Sequence, residues 1–541
     1  MTTDTAPHAT PFFSVDATWL HMDEPTNRVT IVGLETFEKP LRFSRLRSVV
    51  EDRLLRFERF RQRVREPRLP LGLPTWEPDP HFDLDAHLWH IKLPPPGDWS
   101  ALLQLAEKFM QVPLPADRPL WRMILIDHFG AGSAMFLCLS HAMADGAAIL
   151  NVFNTLTGTT AKASLARLAP PKPAEQLDDD PAARIARVLD EASQMLEAPG
   201  NLWKKSLAAA QDPLGTVLRG ADVGLSLGKL LFIPPDQRTA LSGRCGPAKR
   251  AVACDPIPLA QVKSVAKTFG AKVNDVVLAA VAGSLRDYLQ AHGEPVQGLN
   301  LRAVVPVYLN PWNDPTDLRN GFGLVFLSLP VGIADPLRRL RMLKRRMDYI
   351  KSTSEAAVAY GIMYGLGFTP PPVERMITRV FGLKGTAVMT NVIGPSEVRY
   401  LAGVPIKRML FWVPQPAGLG MGVSLISYAG ELSVMLATDA RLVPDPEAMV
   451  AGFHREFDQL ARLASAAASK GRAAAPRTRR AAGTGKNGAA HPRKNGAEAP
   501  VRRKARASAE ARPPVSAPVS EEPQPQPPVS AAVFEEQPQP A

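Results

Sequence analysis

The chain has 541 residues, 45% of them hydrophobic, which is enough for two or three domains with buried cores, and it reads as a mostly globular protein. The formal charge of +12 suits anionic partners such as phosphates, acidic lipid headgroups or nucleic acid without choosing among them. Cys138, Cys245 and Cys254 form no paired-ligand spacing, which argues against a disulfide framework and for free thiols in a reducing compartment. The first ten residues lack a basic stretch followed by an apolar one, so no secretory signal is read and the cytoplasm is the expected location. The longest uncharged run, Met409 to Gly430, has membrane length, but Pro414, Pro416, Gly418, Gly420 and Gly422 divide it into strand and turn pieces.

Residues 1–156 alternate short apolar runs with turn chemistry, at Val29 to Phe37, Trp121 to Phe129 and Ala134 to His141, with helical periodicity between them. That alternation predicts a mixed α/β domain. Residues 157–249 read as a largely helical connection: Ala169, Pro170, Pro171 and Pro173 break the chain, and Asp180 with Pro181 opens a helix. Ile185, Val188, Leu189, Ala192, Met195 and Leu196 follow at 3.6-residue spacing until Pro199 and Gly200.

A second α/β domain is expected over residues 250–467. Leu259, Val262, Ala266 and Phe269 line one helix face, and Leu278, Val281, Leu285 and Leu289 line another. Strand-like runs follow at Leu301 to Leu309, Leu324 to Leu329 and Val423 to Leu436. Residues 468–541 read as a disordered basic tail of Ala, Pro and Arg, because few large apolar side chains are present to offset chain entropy. From residue 470 this tail carries 13 Lys or Arg against 6 Glu, so it holds much of the positive charge.

The densest chemical signal is Ala134-Met-Phe-Leu-Cys-Leu-Ser-His141-Ala-Met-Ala-Asp145-Gly146. An apolar strand ends at His141, a short loop follows, and Ile149, Val152, Phe153 and Leu156 resume helical spacing. An imidazole at a strand end is rigidly held yet reachable, and near neutral pH it is substantially unprotonated, as a general base must be. Asp145 reads as a structural anchor, and Gly146 as a residue that lets the chain turn without a Cβ clash.

His141-x-x-x-Asp145-Gly146 at a strand end resembles the HxxxDG motif of the CoA-dependent acyltransferase superfamily. Phe13-Ser-Val-Asp16-Ala-Thr-Trp19-Leu-His-Met, Pro119-Leu120-Trp121, Asn274-Asp275 and Asn391-Val-Ile-Gly394-Pro395 are similar, in order, to segments of the bacterial wax ester synthase/diacylglycerol acyltransferase family. The resemblance spans about residues 11–465. It implies two chloramphenicol-acetyltransferase-like α/β domains with a channel between them, acyl-CoA entering from one face and the alcohol from the other. It implies that His141 is the catalytic base, that Asp145 supports it, and that the Pro-Leu-Trp and Asn-Asp elements support the acyl channel and the architecture. The expected activity is transfer of a long-chain acyl group from acyl-CoA to diacylglycerol or a long-chain alcohol, with no metal or redox cofactor. The chain departs from the family's HHxxxDG at Ser140, which puts rate or acceptor preference in question.

Plainer readings stand beside these. Trp121 suits core packing, and Asn274 and Asp275 suit helix N-caps. Gly224-Leu-Ser226-Leu-Gly228 matches the GxSxG elbow of serine hydrolases but lies in a stretch that reads as helix or loop, whereas the elbow needs a preceding strand. Asp83, Asp85, His87 and His90 cluster without a zinc-like spacing. The basic runs Arg477 to Arg480 and Arg502 to Arg506 suit either a solvated linker or peripheral contact with an anionic membrane or lipid-droplet surface. A non-catalytic lipid-binding role is the rival that Ser140 leaves open, and nucleic acid is the less favoured partner.

Overall fold

A computed structural model describes residues 9–67, 72–168, 225–309 and 317–474. The helix expected around Ile185 to Leu196, the Asp180–Pro181 entry and the basic tail lie outside the described residues.

The described residues form two large sheets and a small three-stranded one that pairs Thr10–Pro11, Thr75–Pro78 and Gln62–Arg65. The first large sheet runs in the order Tyr400–Leu401, Val404–Trp412, Thr30–Phe37, Gly132–Ser140, Trp121–Phe129, Leu88–Lys92. The three apolar runs read in the first 156 residues are its centre. Two of its strands come from beyond residue 400, however, so the sheets do not follow the chain's division near residue 250. Val404–Trp412 pairs antiparallel with Thr30–Phe37, and the buried Trp412 donates from Nε1 to the Val252 carbonyl at 3.2 Å, tying the two halves together.

The second sheet orders Phe322–Leu329, Leu301–Tyr308, Ala387–Ile393, Met421–Tyr428, Glu431–Asp439 and Lys249–Ala253, with Ile257–Pro258 on Glu431–Asp439. The run Val423 to Leu436, expected as one strand-like stretch, is a hairpin that turns at Ala429 and Gly430. Both residues have positive φ, 48° and 84°, which matches the twist of a tight hairpin. Met409 to Gly430 is likewise strand, loop and strand, and among the described residues no helix is long and apolar enough to cross a membrane.

The two expected helical faces appear as Leu259–Thr268 and Val273–Ala291. With Pro336–Lys351 and Pro446–Ala474 they cover the second sheet, and Leu278, Leu285, Leu289, Leu343, Phe453 and Phe457 form that core. Trp99–Gln111 covers one face of the first sheet, burying Leu102, Leu105 and Phe109 against Val32, Leu34 and Phe136. Each such side chain contributes on the order of 1.5–3 kcal/mol. The opposite face of the first sheet is covered by Gly146–Leu156, and a cavity remains between helix and strands.

Candidate active site

The HxxxDG segment folds as its pattern predicts. Gly132–Ser140 ends one residue before His141, whose backbone N–H donates to the Val29 carbonyl at 2.9 Å, so the histidine is fixed to the sheet. Asp145 is the N-cap of Gly146–Leu156: one carboxylate oxygen accepts from the N–H groups of Ala147 and Ala148, both at 2.9 Å. Its other oxygen accepts from the Gly321 N–H at 3.0 Å, which links the loop after His141 to a segment far along the chain. Ser140 also has a local task, its hydroxyl accepting from the Ala142 N–H at 3.3 Å inside the turn.

Gly146 needs a different account from the one its position suggests. It is the first helical residue, and a Cβ there would meet Val392 Cγ2 at an ordinary 3.5 Å, so the turn does not require glycine. What the missing side chain leaves is space, because Gly146 lines the cavity beside His141.

The side chain of His141 is 7% exposed and opens into that cavity, which has a volume of about 1020 Å³. Nδ1 lies 3.0 Å from Asn320 Oδ1. The Asn320 amide is oriented by its other end, where Nδ2 donates to Asp16 Oδ1 at 2.8 Å and to the His141 carbonyl at 3.0 Å. Both of those partners are acceptors, so the remaining amide atom is the oxygen, and Nδ1 must carry the proton. The lone pair therefore sits on Nε2. Burial pushes the imidazole down to about 4, which keeps the ring neutral at pH 7.

Asp16 completes the support. Burial pushes its carboxyl up to about 6 against the pull of Arg59, whose guanidinium stands 3.2 Å from Oδ2 and also donates to the Met143 carbonyl at 3.0 Å. Trp19, one helical turn from Asp16, stacks on His141 with ring centroids 4.1 Å apart and 15° between planes. Trp19 also lines a second cavity of about 790 Å³, walled by Met22, Leu324, Phe326, Met363 and Leu419. Two apolar cavities thus approach the same ring pair.

The other motif residues lie farther out. Trp121 is 2% exposed, stacks on His87 at 4.7 Å and donates from Nε1 to the Phe60 carbonyl at 2.9 Å, so it packs in the core and is not among the residues lining either cavity. Leu120 accepts the Ser140 N–H and Pro119 accepts the Trp121 N–H, so this element braces the strand that ends at His141. Asn274 and Asp275 are not N-caps themselves. Lys272 holds that position, and Asp275 reaches back to its N–H at 2.8 Å, as the third residue of a capping box does. Asn274 Oδ1 accepts from Asn391 Nδ2 at 2.6 Å, joining two motifs of the second half.

Ser226 sits within helical residues 225–232 and is 6% exposed, not on an exposed turn. The acidic and histidine cluster disperses: Asp85 pairs with Arg47, His87 Nδ1 bonds the Trp121 carbonyl at 2.8 Å, and His90 bonds Asp127 at 2.7 Å. Asp83 caps a 3₁₀ turn by accepting from the Asp85 N–H. The three cysteines are free.

Sequence pattern does not mark Asn320 or Arg59, and it marks Asp16 and Trp19 only as part of the opening motif. Asn320-Gly321 before an apolar strand reads as turn chemistry, and its role depends on contacts 179 residues away in sequence.

A buried imidazole with Nδ1 bonded to Asn320, beside apolar cavities and followed by a capping aspartate, is the arrangement that the HxxxDG class of acyltransferases calls for. Comparison with known proteins agrees with this class. Residues 13–277 match the wax ester synthase/diacylglycerol acyltransferase catalytic domain, and residues 318–461 match the C-terminal domain of the same enzymes. A putative diacylglycerol O-acyltransferase of Mycobacterium tuberculosis is 30% identical over 82% of this chain and 90% of its own length. A second from that organism, described as a probable diacylglycerol O-acyltransferase, is 28% identical over 77% of this chain and 87% of its own. The chain belongs to the wax ester synthase/diacylglycerol acyltransferase family. In fold it is similar to the wax ester synthase/diacylglycerol acyltransferase of Marinobacter aquaeolei, with a TM-score of 0.59 at 20% identity over 84% of this chain and 100% of that one. It is also similar to the first condensation domain of the calcium-dependent antibiotic synthetase, with a TM-score of 0.54 at 17% identity over 85% and 96% of the two chains.

Proposed function

We propose that this protein transfers a long-chain fatty acyl group from acyl-CoA to the hydroxyl of diacylglycerol or of a long-chain alcohol, with His141 Nε2 as the general base. The observation that carries this reading is the Asn320–His141 contact, which leaves Nε2 as the free lone pair on a ring that opens into an apolar cavity. Nε2 takes the hydroxyl proton as the alcohol oxygen bonds to the thioester carbonyl carbon. The tetrahedral intermediate then collapses with cleavage of the carbon–sulfur bond, and the imidazolium returns its proton to the CoA thiolate. With a thiol pKa of about 8.5, CoA leaves readily. Acyl-CoA is a co-substrate here, and the scheme uses no resident cofactor.

Peripheral contact with a lipid surface fits the same reading. The helix Pro371–Gly382 places Thr378, Phe381 and Gly382 on the second cavity and exposes Val373, Met376 and Val380, with Arg379 beside them. Cosedimentation with anionic vesicles tests this, and binding that survives Met376→Asp combined with Val380→Asp contradicts a role for the helix.

The decisive assay supplies purified protein with palmitoyl-CoA and either dioleoylglycerol or hexadecanol, and follows thiol release and the ester product. Thiol release with ester formation supports transfer. Thiol release with free fatty acid only contradicts it.

A further inference from the structure

The cavity beside His141 has an ordered wall. On Thr30–Phe37 the residues Ile31, Gly33 and Glu35 share one face, since side chains alternate along a strand. Register places Leu139, Leu137 and Met135 opposite them on one neighbour, and Phe411 and Met409 opposite Gly33 and Glu35 on the other. The row at Glu35 is therefore the last, flanked by two methionines. Phe37, next on the same face, is packed in the core and does not line the cavity.

His141 is tied to Val29 at the opposite end. Six residue steps lead from Val29, just before the strand, to Glu35, or about 20 Å at ~3.3 Å each. The covering helix gives a second ruler, because Gly146 and Leu156 both line the cavity and ten helical steps of ~1.5 Å make about 15 Å. The length between the base and Glu35 is that of an extended long-chain acyl or alkyl group.

Glu35 does not belong in such a wall on packing grounds. It is 6% exposed, and one carboxyl oxygen has no hydrogen-bond partner among the described residues. Burial pushes the carboxyl up to about 8 against a hydrogen bond from its own backbone, with no cation among the described residues opposing it, so it is mostly the neutral acid at pH 7. A buried carboxylic acid both donates and accepts, and an unsatisfied one costs free energy that a polar ligand atom would recover.

We infer that Glu35 forms a polar subsite at the far end of this cavity, selecting a long-chain substrate that carries a hydroxyl at or near its ω end. The inference rests on the acyl-transfer reading above. The oxygenated chain belongs either to the acyl donor or to the alcohol, and both offer the same chemistry to the carboxyl.

The test uses the full-length protein in two arms. One compares hexadecanoyl-CoA with ω-hydroxyhexadecanoyl-CoA on dioleoylglycerol. The other compares hexadecanol with hexadecane-α,ω-diol at fixed palmitoyl-CoA. Displacement of a fluorescent fatty acid by hexadecanol or the diol, without CoA, gives a binding readout that does not depend on turnover. The wild type is expected to favour the hydroxylated chain by about tenfold in one arm, the effect of a single satisfied hydrogen bond. Glu35→Gln keeps the preference, and Glu35→Leu removes it and raises use of the plain chain. Equal ratios for wild type and Glu35→Leu in both arms and in displacement overturn the subsite. Absence of transfer with every donor overturns the acyl-transfer reading instead, and the displacement ratio still decides Glu35.

Discussion

The carboxamide oxygen of Asn320 accepts the Nδ1 proton of His141 at 3.0 Å, and the amide nitrogen of the same group is held by Asp16 at 2.8 Å. One side chain thereby fixes both the tilt and the tautomer of the proposed base. Replacing it with alanine leaves Nδ1 free to compete for the lone pair. Asn320→Ala is expected to lower kcat by about a hundredfold, within the range a positioned general base contributes, with KM for acyl-CoA little changed. Steady-state kinetics check this, and a kcat within a factor of a few of wild type contradicts the tautomer argument.

The pH dependence follows from the same contacts. The base must be neutral, so activity is present above its pKa and is lost as pH falls through it. Burial pushes His141 down to about 4, and Asp16, pushed up to about 6, takes up a proton on the way and loosens its hold on Asn320. The acid limb of kcat/KM is therefore expected below pH 6. A limb centred at about 6.5, the value of an exposed imidazole, contradicts the buried geometry.

Asp145 is expected to matter for stability before chemistry. Asp145→Ala removes an N-cap, costing about 1 kcal/mol, and leaves the buried Gly321 N–H unpaired for roughly 1–3 kcal/mol more. Asp145→Asn keeps the cap but turns a donor toward Gly321 or loses the contact, so it falls between. Denaturant midpoints rank the three, and an unshifted Asp145→Ala midpoint refutes the anchoring role.

Much of this was legible in sequence because it is local. The strand that ends just before His141, Asp145 as an anchor of the loop after it, and the helices Leu259–Thr268 and Val273–Ala291 each follow from spacing within a few residues. The pieces that escaped depend on tertiary pairing. Val404–Trp412 carries nothing that says it joins the first sheet, and the hairpin at Ala429-Gly430 lacks the usual Asn-Gly or Asp-Gly signal. Asn320 and Arg59 look like ordinary turn and surface residues until the fold brings them to Asp16. Gly146 reads in sequence as a turn residue, but its backbone is plain helix and its value is the room it leaves.

That room is testable. Gly146→Val fits the backbone but places methyl groups in the cavity beside His141. Transfer of long chains is expected to fall about tenfold or more while the melting temperature holds, since added bulk in a substrate channel acts on binding. Full activity in a folded Gly146→Val protein places the chain elsewhere.

Ser226 provides a contrast. It is buried within a helix and is not among the residues that line either cavity. Ser226→Ala is expected to transfer acyl groups like wild type, and a fluorophosphonate probe to leave this residue unlabelled, as mass spectrometry of the treated protein would report.

The most direct measurement is ester formation from palmitoyl-CoA by His141→Ala, with its fold checked by circular dichroism. Loss of about a thousandfold or more in a folded protein is the expected result. Turnover equal to wild type would contradict the assignment of His141 as the base.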